Sequence, residues 1–235
     1  MTERSGRLGV GIIGAGRVGP VLGAALGGAG HAIVGISAVS QESRDRAEAM
    51  LPGVPVLTVP EVVRRSELVL LAVPESELAA LVEGLAATGT WQPGQLVLHT
   101  APGVGTSVLA PARAAGAIPL AVNPAMAFTG TSIDLVRLRG AYCAVTAPTP
   151  VQPIGQALVV EMGAEPVIVA EEDRAAWAEA VSTASTFSTA IVAQTVGILD
   201  ELGIPDPGRV LGPLVRSAVE NALGGAAPEL LPPED

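Results

Sequence analysis

The sequence predicts an α/β protein, a doubly wound parallel sheet followed by a smaller, mostly helical C-terminal domain. Three observations predict it. Short apolar runs alternate with helical patterns over residues 8–169. The run Leu68-Val69-Leu70-Leu71-Ala72-Val73 has no polar alternation, as a central parallel strand covered on both faces requires. Beyond Asp173 the strand signal stops and helical patterning takes over.

Residues 8–13 form a short apolar run broken by glycine, and a helical pattern follows over 17–29. A second strand is expected at 31–37, a charged helix at 41–51, a short strand at 54–57 and one or two helical turns at 60–65. The apolar strand at 67–73 leads to a helix at 76–87 and a strand at 95–99. A helix at 104–115 and strands at 118–122 and 141–146 come next. Pro148, Pro150 and Pro153 mark a connection into a last α/β unit, helix 154–162 and strand 165–169. Residues 173–202 read as one long helix rich in Ala, Ser and Thr, broken at Gly203-Ile204-Pro205-Asp206-Pro207. A further helix at 208–223 contains Pro213, which should disturb it. The expected domains are thus 1–147, the sheet; 148–223, an α/β unit plus a helical segment; and 224–235, a disordered Gly-, Pro- and acid-rich tail.

Composition narrows the function classes. Nearly half of the 235 residues are apolar and only 2% are aromatic, so the core is built from aliphatic side chains and lacks base-stacking platforms. The net charge of −10 repels phosphate backbones, which argues against a nucleic-acid partner. Cys143 cannot pair internally and reads as a small core residue in a reducing compartment. The first seven residues are polar and short, unlike a signal peptide, and no apolar stretch reaches the roughly 18 residues that span a bilayer. A soluble, cytoplasmic protein is expected. A long helix of low charge on a small domain needs a cover, and a second subunit is the simplest one, so a homodimer is expected.

Gly14-Ala15-Gly16-Arg17-Val18-Gly19 follows the first strand directly and opens a helix. Gly-x-Gly-x-x-Gly is a weak pattern alone, but in this context it is the Rossmann dinucleotide fingerprint. Gly14 permits the tight turn, Gly16 lets backbone approach a pyrophosphate, and Gly19 lets helix and strand pack closely. The helix N-terminus supplies N–H groups and positive potential to the anion.

The second strand bears on which dinucleotide is preferred. An NAD site places an acid near its end to accept from the ribose 2′-OH. Here Ser37, Ser40, Ser43 and Arg44 stand in that region, with Arg17 nearby in the loop, and hydroxyls with a guanidinium suit a 2′-phosphate. NADPH is therefore favoured over NADH. Glu42 falls where a helix N-terminus welcomes an acid, and Arg46 competes with Arg44 for the phosphate.

Four strings then occur in order: residues 11–19 around the glycine turn; Leu71-Ala72-Val73-Pro74-Glu75; Leu98-His99-Thr100-Ala101-Pro102-Gly103; and Asn123-Pro124-Ala125-Met126-Ala127-Phe128-Thr129-Gly130-Thr131. Together they resemble the Rossmann-like proteins carrying a DUF2520 domain. These are similar to the NADP-dependent reductases that include pyrroline-5-carboxylate reductase, ketopantoate reductase and the β-hydroxyacid dehydrogenases. The resemblance implies a Rossmann domain followed by a helical domain, usually dimeric, with the active site between them. It places Ala72, Val73 and Pro74 against the cofactor's ribose and phosphates, the His99-Thr100 turn near the nicotinamide, and the Asn123 segment on the substrate side. Asn123 replaces the histidine usual in the family; an asparagine orients a substrate but delivers no proton.

Hydride transfer to a small carbonyl or imine substrate needs a proton donor. His99 is the histidine suited to that role, and it could equally cap its strand by bonding a neighbouring carbonyl; His31 lies at the far end of the second strand. Thr100, Asn123, Ser185 and Ser188 are further candidates, the two serines sharing one helix face. Most hydroxyls of the 182–189 run are expected to bond carbonyls four residues back. No metal-ligand spacing is visible. Glu171-Glu172-Asp173 reads as an acidic first helical turn. The expected function is an NADPH-dependent oxidoreductase. The alternatives are a non-catalytic NADP(H)-binding sensor or partner protein and, on the same fold, a site for deazaflavin F420 with NADP.

Overall fold

The computed structural model describes residues 7–225. The ten residues at 226–235, most of the expected disordered tail, lie outside the described residues.

The sheet has seven strands in the order β2-β1-β3-β4-β5-β6-β7: β1 (Gly9–Ile13), β2 (Ala32–Ser37), β3 (Leu68–Leu71), β4 (Leu96–His99), β5 (Ile118–Pro124), β6 (Tyr142–Thr146) and β7 (Glu165–Ile168). Strands β1 to β5 are mutually parallel, so the fold is the doubly wound α/β arrangement the sequence predicts. The chain goes from β1 to one neighbour, β2, then crosses to the other, β3. The carboxyl end of β1 is therefore the switch point where such sheets bind ligands.

Both faces are covered. Helices α1 (Gly19–Gly28), α2 (Gln41–Met50), α6 (Ile133–Leu138) and α7 (Gln152–Glu161) share one buried cluster with Val10, Ile12, Leu68, Leu70 and Leu98. On the opposite face α3 (Val59–Arg65), α4 (Glu75–Ala87) and α5 (Ala110–Ala114) pack on Ile13, Val69, Leu71 and Val97. In β3, Leu68 and Leu70 thus serve one core while Val69 and Leu71 serve the other. That division explains the unbroken apolar run.

Several elements differ from the sequence reading. Residues 54–57 form only an isolated bridge, Ile36 to Val56, because Thr58 and Glu61 close a capping box that turns the chain into α3. The predicted 104–115 helix begins as a 3-10 turn, Thr106–Leu109. Helix α6 has no counterpart among the expected elements. Strand β6 runs antiparallel to β5, and β7 parallel to β6. Strand β6 starts where β5 stops, with Cys143 opposite Pro124, and residues 125–141 stay at the carboxyl end.

The chain forms two compact units that meet between Val181 and Ser182. The first runs past residue 147, since β7 pairs with β6 and α7 packs on β6. Helix α8 (Arg174–Glu201) starts in the first unit and continues in the second, which also holds α9 (Pro207–Leu223). Helix α9 runs through Pro213 without a break and buries none of its residues.

Gly11, in the middle of β1, faces Val62 and Ser66. An added Cβ would overlap the Ser66 hydroxyl, which is itself bonded to the Val62 carbonyl, and lie 2.6 Å from Val62 Cγ1. Gly11→Ala should destabilise the fold by about 1–3 kcal/mol, the usual penalty of overpacking, measured by denaturant unfolding.

Candidate functional site

Gly14 and Gly19 fill the steric roles their sequence suggested. Gly14 has φ +103°, and a Cβ there would strike the Ala72 carbonyl at the end of β3. A Cβ on Gly19 would strike the Gly14 carbonyl and crowd Ile12 and Ala72. Gly16, by contrast, faces open space, with no atom within 4 Å of an added Cβ. Ala15 points into the core, Val18 is half-buried at the N-cap of α1, and Arg17 is exposed. No side chain caps α1, so its first N–H groups remain for a ligand.

The neighbouring loops close on this turn. Ser37 Oγ accepts from the Gly14 N–H at 3.1 Å and so helps to hold the turn, with its own O–H left to donate. Ser40 caps α2 by accepting from Ser43 N–H at 3.1 Å, and Arg44 is exposed on that helix. Arg46, not Arg44, reaches the turn: Nη1 donates to the Ala15 carbonyl at 3.0 Å, and Nη2 pairs with Glu42. A Cβ on Gly130 would lie 2.9 Å from Arg46 Cδ and 3.2 Å from Arg17 Cα, so the β5–α6 loop lies against the glycine turn.

Asp134 secures that loop. It is fully buried and accepts from the Thr129 and Gly130 N–H groups at 2.8 Å each and from the Thr129 hydroxyl at 3.0 Å. Burial opposes its ionisation, but these donors outweigh it and hold the carboxyl below the usual carboxylate range. Across the site, Ala72 and Val73 are half-buried and Pro74 is exposed at the start of α4. Glu75 accepts from the Gly103 N–H at 2.8 Å, joining the loops after β3 and β4.

Asn123, near the end of β5, has both ends of its amide engaged. Nδ2 donates to the Thr100 carbonyl at 3.0 Å, and Oδ1 accepts from Trp177 Nε1–H at 2.9 Å. Thr100 is itself buried.

His99 does not suit the proton-donor role. It is fully buried, and Nε2–H donates to the Gly105 carbonyl at 2.8 Å, the strand-capping alternative. Burial, with a smaller push from Arg174, brings its pKa down to about 4 against the opposing Gly105 bond and Glu171. At neutral pH the ring is uncharged and has no proton to spare.

Glu171 also differs from its expected part. Instead of serving the first turn of its own helix, it accepts from the Thr106 and Ser107 N–H groups at 2.7 and 2.9 Å and caps the 3-10 turn. Arg174 was not foreseen at all. It is almost completely buried, with Nε donating to Thr146 Oγ1 and Nη2 to the Ala121 carbonyl, each at 2.7 Å. Burial brings its pKa down to about 10, so it stays charged at neutral pH. Neither it nor Trp177 belongs to a motif; an Arg after three acids reads as a solvated helix residue. Cys143 is the buried core residue expected, its thiol pushed up to about 12 by burial. Ser185 and Ser188 are exposed on α8 in the second unit, and the Ser185 carbonyl accepts from Thr189 Oγ1, the local pattern anticipated for this run.

His99 gives the protein a defined acid sensitivity. The unfolded chain protonates it near 6.5 and the folded chain only near 4. Its contribution, roughly 3 kcal/mol, is therefore intact above pH 6.5 and shrinks progressively as the pH falls toward 4. Urea unfolding between these limits should show the decline, and His99→Gln should flatten it.

Comparison with known proteins follows the same outline. No curated protein sequence matches the chain. Among solved structures, a candidate NADP oxidoreductase from Bacteroides fragilis superposes with a TM-score of 0.77 at 20% identity, over 96% of this chain and 82% of that one. A 1-pyrroline-5-carboxylate reductase from Streptococcus pyogenes gives 0.68 at 17% identity, over 96% and 82%. A variant imine reductase from Myxococcus stipitatus in complex with NAD+ gives 0.63 at 18% identity, over 94% and 77%. At these identities the likeness is one of fold. Family models match residues 2–124 as a Rossmann-like domain and residues 141–231 as a domain of unknown function, DUF2520. They divide the chain between β5 and β6, where the sheet reverses, and the protein belongs to the Rossmann-like family, with a DUF2520 domain following.

Proposed function

We propose that this protein is an NADPH-dependent oxidoreductase that transfers a hydride to a small carbonyl or imine compound. The observation that carries the reading is the open space in front of Gly16, bounded by the uncapped start of α1, with Arg17 exposed beside it. Backbone N–H groups and a guanidinium facing a gap of this kind fit a pyrophosphate. Among the structural relatives, one is named an NADP oxidoreductase and two are named reductases, one of them solved with NAD+.

The preference for NADPH rests on β2 and α2. No acid follows Ser37 at the strand end, and Glu42 is paired with Arg46, which leaves it poorly placed to accept from a ribose 2′-OH. Arg44 and Ser40 stand at the start of α2 as partners for a 2′-phosphate, alongside Ser37. When bound, the cofactor supplies the hydride. The chain's part is to seat it with residues 14–19, flank it with Ala72, Val73, Pro74 and Thr100, and orient the substrate with the Asn123 amide, whose second N–H and second lone pair are free of the bonds described above. Ser185 and Ser188 are the first α8 hydroxyls to substitute in a search for substrate contacts.

The second reading, an NADP(H)-binding sensor without turnover, is favoured by one finding: the histidine best placed for proton delivery is sealed and neutral. NADPH oxidation against a panel of cyclic imines and small ketones separates the two. Turnover supports the reductase; tight binding with no turnover on any of them supports the sensor.

We also propose a homodimer. The second unit exposes Phe187, Ile191, Ile198, Val210, Leu214, Val219 and Leu223 on two helices and Leu202 in the turn after the first, more apolar surface than a lone pair of helices keeps in water. A second copy, offering the same surface, is the cover proposed. The protein is proposed to be cytoplasmic; no described helix is long and apolar enough to cross a membrane.

Calorimetric titration should give a Kd for NADPH at least about tenfold below that for NADH, a difference of about 1.4 kcal/mol. Arg44→Ala should erase most of that gap and leave NADH binding unchanged. Gly16→Val should abolish binding of both while leaving Tm within about 2 °C of wild type, since the side chain enters open space; equal wild-type Kd values would remove the NADPH preference. Light scattering at micromolar concentration should return twice the chain mass, and the monomer mass would overturn the dimer.

A further inference from the structure

Among the described residues, two buried side-chain nitrogens lack a partner: His99 Nδ1 and Arg174 Nη1. They belong to one neighbourhood. His99 lies directly opposite Ala121 in the β4–β5 ladder, and the Arg174 guanidinium bonds the Ala121 carbonyl. Thr146, which accepts from Arg174 Nε, is the next partner of Ala121 across the β5–β6 ladder. His99 alternates along β4 with Leu98, and Thr146 along β6 with Val145, both of which face the α1 side of the sheet. His99 and Thr146 therefore project from the opposite face, and Arg174 lies on that face between them.

The two atoms have complementary needs. The Gly105 carbonyl can only accept, so His99 carries its proton on Nε2 and leaves Nδ1 as a pure acceptor. Arg174 Nη1 is a pure donor. A buried polar atom left without a partner costs about 1–3 kcal/mol, and a desolvated guanidinium with no carboxylate bonded to it is costlier still. A ligand shared by the two would accept from Nη1 and donate to Nδ1. An anion meets the first demand and fails the second; a metal cation is repelled by the guanidinium. A water molecule meets both.

We infer that His99 and Arg174 hold one internal water molecule between them, accepting from Arg174 Nη1 and donating to His99 Nδ1. The water completes a buried polar chain from the Gly105 carbonyl through the His99 ring to Arg174, Thr146 and the Val169 carbonyl. That chain ties the loop after β4 to the reversed strand β6 and to the first turn of α8. Trp177, three residues along that helix, holds Asn123. The inference is independent of the cofactor reading.

A crystal structure of the full-length protein at a resolution that orders internal solvent should show one water at hydrogen-bond distance, about 2.7–3.2 Å, from both nitrogens. A direct Nη1–Nδ1 bond, or an anion identified by its anomalous signal after a bromide soak, would overturn the inference. Histidine-selective ¹⁵N NMR in solution supplies an independent reading. His99 should show a single Nε2–H tautomer with Nδ1 at a hydrogen-bonded acceptor position, and Arg174→Lys should move Nδ1 to the free-acceptor position. A free-acceptor position already in the wild type would refute the water even if the variant did not fold.

Discussion

The structure depends on the close crossing of three backbone segments at the carboxyl end of β1. The turn leaving β1, the first residue of α1 and the end of β3 approach so nearly that neither Gly14 nor Gly19 has room for a Cβ. This contact sets the direction in which α1 leaves the sheet. It aims the uncapped N–H groups of α1 past Gly16, the one glycine of the three whose missing side chain leaves open space. Two glycines are thus required by the protein itself, and the third faces open space.

What surrounds the turn follows from the reversal at β6. The connection after β5 enters an antiparallel strand and stays beside the glycine turn, with Gly130 against Arg17 and Arg46. Asp134 holds this loop with backbone donors, a stronger anchor than a surface ion pair supplies. On the other side of the sheet Arg174 anchors the first turn of α8 to the β5 and β6 backbone. The helix that leaves the first unit is therefore fixed at its origin by a buried cation.

Much of the fold was legible because it rests on local rules. The apolar run of β3, the glycines at 14, 16 and 19, the serine cap of α2 and the breaker at 203–207 each carry a chemical reason readable from residue type. The direction of β6 was not legible, since an apolar run reads the same both ways. The length of the intervening segment does not decide it either, since a connection of nearly the same length carries the chain through the parallel crossover from β4 to β5. The expected strand at 54–57 was apolar enough but lies directly ahead of a capping box that ends it. At the site, the turn was readable and the polar supports were not. Glu171, Asp134, Arg174 and Trp177 act on backbone or side chains far away in the sequence, apart from Asp134, whose targets lie four and five residues back. His99 was readable as a histidine at a strand end, but its burial depends on elements that converge only in the folded chain.

The central claim is that the gap in front of Gly16 is a dinucleotide cradle. Backbone amide NMR during titration with NADPH tests it most directly. The account predicts saturable shifts of the Gly14, Gly16, Arg17, Val18 and Gly19 amides, with Gly53 and Gly89, at remote turns, unmoved. Saturation with no change at residues 14–19 would contradict it.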